Sequence, residues 1–146
     1  MDTHQTFNSF MIQVFNEIMN IQEKAVITEE FKDISNNDMH IIEAIGNQES
    51  RNMSSVAKSL SVTVGTLTIA INNLVKKGYV DRIRSDEDRR VVLISLTSKG
   101  LKAFEHHQNF HEEMIQAMIA DLDEEEKEVL VRAITNLKDF FHDRMK

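Results

Sequence analysis

Residues 53–97 read MSSVAKSLSVTVGTLTIAINNLVKKGYVDRIRSDEDRRVVLISLT, and the order of patterns in this stretch decides the fold. Val56, Ala57 and Leu60 put an apolar face on a short helix from Asn52 to Leu60. The turn Ser61-Val62-Thr63 follows, and the Thr63 hydroxyl suits an N-cap, where it accepts from a backbone N–H that has no helical partner. The next helix runs through Leu67, Ala70, Ile71, Leu74 and Val75 to Lys77, with Gly78 where a left-handed C-terminal cap is expected. Two β-rich runs, Tyr79–Arg84 and Val91–Leu96, close the stretch around the polar turn Ser85-Asp86-Glu87-Asp88. Helix, turn, helix and β-hairpin in this order make a winged helix-turn-helix.

Working outward, the flanks read as helix. The absence of proline and the presence of only four glycines suit a chain with few irregular loops. Phe7, Met11, Val14, Ile18, Ile21 and Ala25 recur at steps of four and three, the stripe of a long amphipathic helix. Ser35 with Asp38 starts a shorter helix that ends near Gly46. A long helix is expected from Ser98 to Met118, carrying Leu101, Phe104, Phe110, Met114 and Met118. Asp123 and Glu126 form a capping box ahead of the stripe Leu130, Ala133, Ile134, Leu137, Phe140, Phe141. The expected fold is mainly α with a small β-hairpin wing, one domain over 1–146. Residues 35–97 form its winged helix-turn-helix, and residues 1–34 and 98–146 supply long N- and C-terminal helices, which the family resemblance given below implies are dimerisation helices. Exposed Phe140 and Phe141 are costly on a monomer, and a palindromic operator demands two-fold symmetry. The alternative is that these stripes pack on their own domain.

Composition removes several function classes. Without cysteine there are no disulfides, thiolate metal sites or cysteine nucleophiles. There is no phosphate-binding glycine loop, nucleophile motif or cofactor motif, so neither an enzyme nor a cofactor is expected. No apolar run reaches the roughly 18 residues of a membrane span, and no signal-peptide pattern opens the chain. These features predict a soluble cytoplasmic protein with no membrane partner. A net charge of −7 opposes binding to phosphate, but the charge is segregated. From Arg51 to Lys102 ten basic residues face four acidic ones, a local +6 that leaves −13 for the remainder. A ligand docking on one face feels the local field.

On a helical wheel Leu67, Ala70, Ile71 and Leu74 face inward, and Gly65, Thr66, Thr68, Ile69, Asn72, Asn73 and Lys76 face out. Small hydroxyl residues near the helix start, from Thr63 and Val64 to Thr68, allow close approach to base edges and phosphates. Thr68, with Val64 or Ile69, suits thymine methyl groups, and Asn72 suits an adenine edge or a phosphate. In the hairpin, Arg89 and Arg90 stand where a guanidinium can enter a narrow minor groove, with Asp88 orienting an arginine. Arg84 and Lys76 complete the candidate DNA-binding set. A polar face that merely meets water is the bland alternative.

Asp88-Arg89-Arg90, then Leu96-Thr97 and Gly100, resembles the wing motif of MarR-type regulators. Val56-Ala57, the helix from Thr63 to Leu74 and Lys76-Lys77-Gly78-Tyr79 are similar to that family too, and the likeness extends over nearly the whole chain. Thr63 to Thr68, Asn72-Asn73-Leu74, Met39-His40 and Asp88 to Val92 resemble the branch of the family that represses fatty-acid synthesis genes in Gram-positive bacteria. The resemblance implies a homodimer on double-stranded palindromic DNA, with long-chain acyl-acyl carrier protein as co-repressor partner. A MarR-type regulator of another regulon, responding to a small molecule or to zinc, is the alternative.

An acyl chain needs an adaptable apolar lining, and methionine supplies one. Met11, Phe15, Met19, Phe31 and Met39 are candidates from the N-terminal part, together with His40. Phe104, His107, Phe110, His111 and Met114 are candidates from the long fifth helix. Core packing is the default for each of them. His107 and His111, four apart on one helix face, suit a shared zinc ion, and the resemblance to MarR-type zinc sensors implies His40 as a third ligand, an alternative to the default of no metal. A zinc hydrolase using Glu43 as base is the enzyme reading of the same residues, and no other motif joins it.

Overall fold

The computed structural model describes residues 2–26 and 31–144, with side chains given for residues 2–17 and 31–144. Helices α1 (Thr3–Val26) and α2 (Asn36–Ile45) come first, followed by the two-residue strand β1 (Arg51–Asn52). Then come α3 (Met53–Ser59), α4 (Val64–Lys76), β2 (Val80–Arg84), β3 (Val92–Leu96), α5 (Ser98–Ile119) and α6 (Glu124–Arg144). The chain divides into two compact units, with the boundary inside α5 between Phe110 and His111. Among the described residues no single helix is long and apolar enough to cross a membrane.

Local chemistry sets the helix ends of the first unit. Ser35 Oγ accepts from the Asp38 N–H at 3.1 Å and Asp38 accepts from the Ser35 N–H at 3.0 Å, the expected capping box of α2. Gly46, at φ +74°, closes that helix. Asn52 caps α3 by accepting from the Ser55 N–H at 2.7 Å. Thr63 caps α4, its Oγ1 accepting from the Thr66 N–H at 3.1 Å. At the other end of α4, Gly78 (φ +87°) donates to Val75 O at 3.1 Å and Tyr79 donates to Leu74 O at 2.9 Å. This paired closure is a Schellman motif. It also moves the start of β2 to Val80, because the Tyr79 N–H is committed to the helix end.

The sheet is antiparallel with order β1-β3-β2, and Val80 faces Leu96, Arg82 faces Ile94 and Arg84 faces Val92. β1, opposite Ile94 and Leu93, was not expected; two residues are too few to display a period-two pattern. Its Arg51 donates to Ser55 Oγ at 2.8 Å and to the Ala44 carbonyl, tying the strand to α2 and α3. The core joins Met39, Ile42 and Ile45 of α2, Met53, Val56 and Ala57 of α3, and Leu67, Ile71 and Leu74 of α4. Phe31, Ile34, Ile41, Tyr79, Val80, Ile94 and Ala103 complete it. Each fully buried aliphatic side chain contributes about 1.5–3 kcal/mol, so this cluster fixes the angle between the helix pair and the hairpin.

The second unit contains the rest of α5 and α6. The Asp123–Glu126 box forms as expected, with reciprocal bonds of 3.1 and 2.8 Å. None of the described residues of α6 is buried. Val129, Val131, Ile134, Phe140 and Phe141 are exposed, the last two as an edge-on ring pair 5.5 Å apart. In the first unit α1 likewise exposes Phe7, Phe10, Met11, Ile12, Val14 and Phe15. The remaining members of its stripe, Ile18, Ile21 and Ala25, lie outside the described side chains.

Candidate nucleic-acid interface

Helices α3 and α4 meet at 106°, within the range of a helix-turn-helix. Leu67, Ile71 and Leu74 anchor α4 in the core, which leaves its opposite face to solvent. On that face Val64, Thr68 and Asn72 lie in one row at four-residue spacing. Ile69 is 75% exposed, an apolar side chain left largely to solvent. The hydroxyls are internally ordered. Thr63 Oγ1 donates to Thr66 Oγ1 at 3.0 Å, and Thr68 Oγ1 donates to Val64 O at 2.7 Å. Thr68 therefore offers its methyl group and an acceptor outward.

The hairpin supplies the charge. Alternation along β2 places Arg82 and Arg84 on one face, beyond buried Val80. Arg82 donates to Asn72 Oδ1 on α4, and Arg84 donates to Arg89 O at 2.9 Å. Arg90 donates to both oxygens of Asp88, at 3.0 and 3.1 Å, and through its backbone N–H at 3.1 Å. The Arg90 guanidinium, followed by its backbone N–H, holds the Asp88 carboxyl below its ordinary range, and Asp88 in turn raises Arg90. This two-pronged pairing fixes the guanidinium in direction without burying it. At the hairpin tip Arg89 lies 3.7 Å from Asp86.

Between α3, α4 and the hairpin is an open hollow of about 510 Å³. Its walls are Asn52, Met53 and Ser54 of the α3 start, Val64 and Thr68 of α4, and Arg82, Arg84, Arg90, Val91 and Val92 of the hairpin. Every charged side chain on these walls is an arginine, so the hollow suits an anionic ligand. Of the residues expected to bind DNA, Val64, Thr68, Arg84 and Arg90 come together here. Thr63, Gly65 and Thr66 are exposed at the start of α4, Lys76 at its end, and Arg89 at the tip. Asn52, Ser54 and Arg82 join them without a motif of their own. The period-two placement of Arg82 beside Arg84 was the available signal for one of these.

The effector candidates divide between environments. Met39 and Phe31 are buried in the core and Phe104 packs against it, whereas Met11 and Phe15 are 45% and 60% exposed on α1. Met19 lies outside the described side chains. Phe110 is half-buried at the end of the first unit; His111 and Met114 are half-buried in the second. His107 is only 2% exposed, and its Nε2 lies 2.5 Å from Glu43 Oε1. His40 sits elsewhere, exposed and facing Leu60, Val62 and Thr66. The structure thus pairs His107 with Glu43 of α2 rather than with His40.

A helix-turn-helix set against an arginine-lined hairpin defines a winged helix-turn-helix DNA-binding protein. Residues 34–92 match the MarR family. The regulator SarZ of Staphylococcus haemolyticus is 30% identical over 72% of this chain and 70% of its own length. The crystal structure of Streptococcus pneumoniae FabT in complex with DNA superposes with a TM-score of 0.85 at 41% identity, covering 96% of this chain and 98% of that one. The MepR–DNA complex of S. aureus shares the fold at 23% identity and TM-score 0.70, over 96% and 99% of the two chains. The protein belongs to the MarR family and is a DNA-binding transcriptional regulator of that family.

Proposed function

We propose that the protein is a homodimeric repressor of fatty-acid synthesis genes that reads palindromic duplex DNA and takes long-chain acyl-acyl carrier protein as co-repressor. In this reading α4 enters the major groove with the row Val64, Thr68, Asn72, and Arg89 and Arg90 place the hairpin against the minor groove. Residues 35–97 do the reading, and the helices on either side assemble the dimer. The observation that carries the DNA-binding part is the hollow in which α4 and three arginines meet. The likeness to FabT, at 41% identity over nearly all of both chains, supports the fatty-acid part. The exposed apolar faces of α1 and of α6 each support a partner copy.

The test is a titration of the full chain on duplex DNA from promoters of fatty-acid synthesis genes, with and without long-chain acyl-acyl carrier protein. Tighter binding with the acylated carrier is expected. Arg90→Ala should weaken binding roughly ten- to a hundredfold and reduce the salt slope by about one. Binding that ignores the acylated carrier would redirect the protein to another regulon and effector.

A further inference from the structure

We propose that Arg82 is a specificity-determining positioning residue, which holds the Asn72 amide with its amine toward the DNA; this rests on the DNA-reading role proposed above. A guanidinium has donors only, so the Asn72 atom facing Arg82 is necessarily the amide oxygen. Of the two flip states open to an asparagine, the wing selects the one with Oδ1 toward β2 and the Nδ2 amine away from it. Asn72 continues the row of Val64 and Thr68, the two α4 residues on the wall of the hollow. Arg82 is on that wall as well, so the pair sits at its α4 margin. The amine carries two donors and selects an acceptor on a base edge: guanine O6 or N7, adenine N7, or thymine O4. Without Arg82 the amide turns over freely and donor and acceptor are offered alternately. Arg82 therefore sets base preference through another residue's side chain, in addition to any charge it brings to the duplex.

Selection of bound duplexes from a fully randomised DNA pool, using the full-length chain, tests this. Wild type should enrich a motif in which one base pair loses its preference in Asn72→Ala. Arg82→Ala should relax the preference at that same pair roughly fivefold or more while the other positions stay as in wild type. Asn72→Asp, which replaces the outward donors by acceptors, should switch that pair toward a base presenting an amine, such as cytosine. An Arg82→Ala motif identical to wild type, or one weakened evenly at every position, overturns the proposal, since the latter marks a phosphate contact. A wild-type chain that enriches no motif overturns the DNA-reading role itself, and this proposal with it.

Discussion

Gly100 lies in the first turn of α5, where a Cβ would stand 2.1 Å from the Tyr79 carbonyl oxygen and 3.2 Å from Leu96 Cβ. The first neighbour is backbone, held by the Thr97 N–H at 3.0 Å, and it cannot swing aside like a side-chain tip. Thr97 also donates its hydroxyl to Gly78 O at 2.6 Å and accepts from the Gly100 N–H at 3.1 Å. Any side chain at position 100 must push the start of α5 off the hairpin. Gly100→Ala should cost about 2–4 kcal/mol and lower the melting temperature by roughly 5–15 °C. A calorimetric scan with an unchanged midpoint would refute the close packing described for this turn. In sequence, Gly100 stands out only as part of a family motif, because nothing local says which backbone approaches it.

Among the elements, the segment before α2 is bound to the end of α4 and the start of α5 through Asp33. Tyr79 Oη donates to Asp33 Oδ1 at 2.6 Å, Lys77 donates to the Asp33 carbonyl, and Lys99 lies 3.7 Å from the carboxylate and 4.4 Å from the Tyr79 ring centroid. The Tyr79 hydroxyl is the main cause holding the Asp33 carboxyl below its ordinary 3.8, and Lys99 and Lys77 add to it against partial burial. The stability this contributes is fully present above that ordinary value and is lost as pH falls through the lower folded one. Tyr79→Phe should therefore destabilise by about 1 kcal/mol near neutrality, with the difference from wild type shrinking in strong acid. Denaturant melts of both proteins from pH 7 to pH 2 check this, and a constant difference across the series contradicts it. The elements themselves were legible because their caps are local: Ser35 with Asp38, Thr63, Gly78, and Asp123 with Glu126 announce helix ends within four residues. The Asp33 tie joins positions 46 apart and β1 pairs across some 40 residues, and neither leaves a local pattern. The candidate site was half legible for the same reason. Exposed positions on α4 follow from a wheel, whereas the meeting of Arg82 with Asn72 depends on how the hairpin folds back.

For the whole molecule, segregated charge and exposed apolar surface point the same way. The basic excess of residues 51–102 lies on α3, α4, the hairpin and the start of α5, and the acidic excess falls on the segments before and after them. In α6 Phe140 and Phe141 stay exposed although burying either contributes about 2–3 kcal/mol, so a partner surface is favoured over solvent. Sedimentation at micromolar concentration should give a dimer for the wild type and a monomer for Phe140→Asp combined with Phe141→Asp. A monomeric wild type would falsify the assembly proposed above.

The contacts around the Tyr79 carbonyl have a mechanical consequence. Gly78 and Tyr79 end α4, Thr97 leaves the hairpin, and Gly100 begins α5, so three elements share one fulcrum with no slack between them. Displacing the first turn of α5 therefore presses on the end of α4 and on the foot of the hairpin at one point.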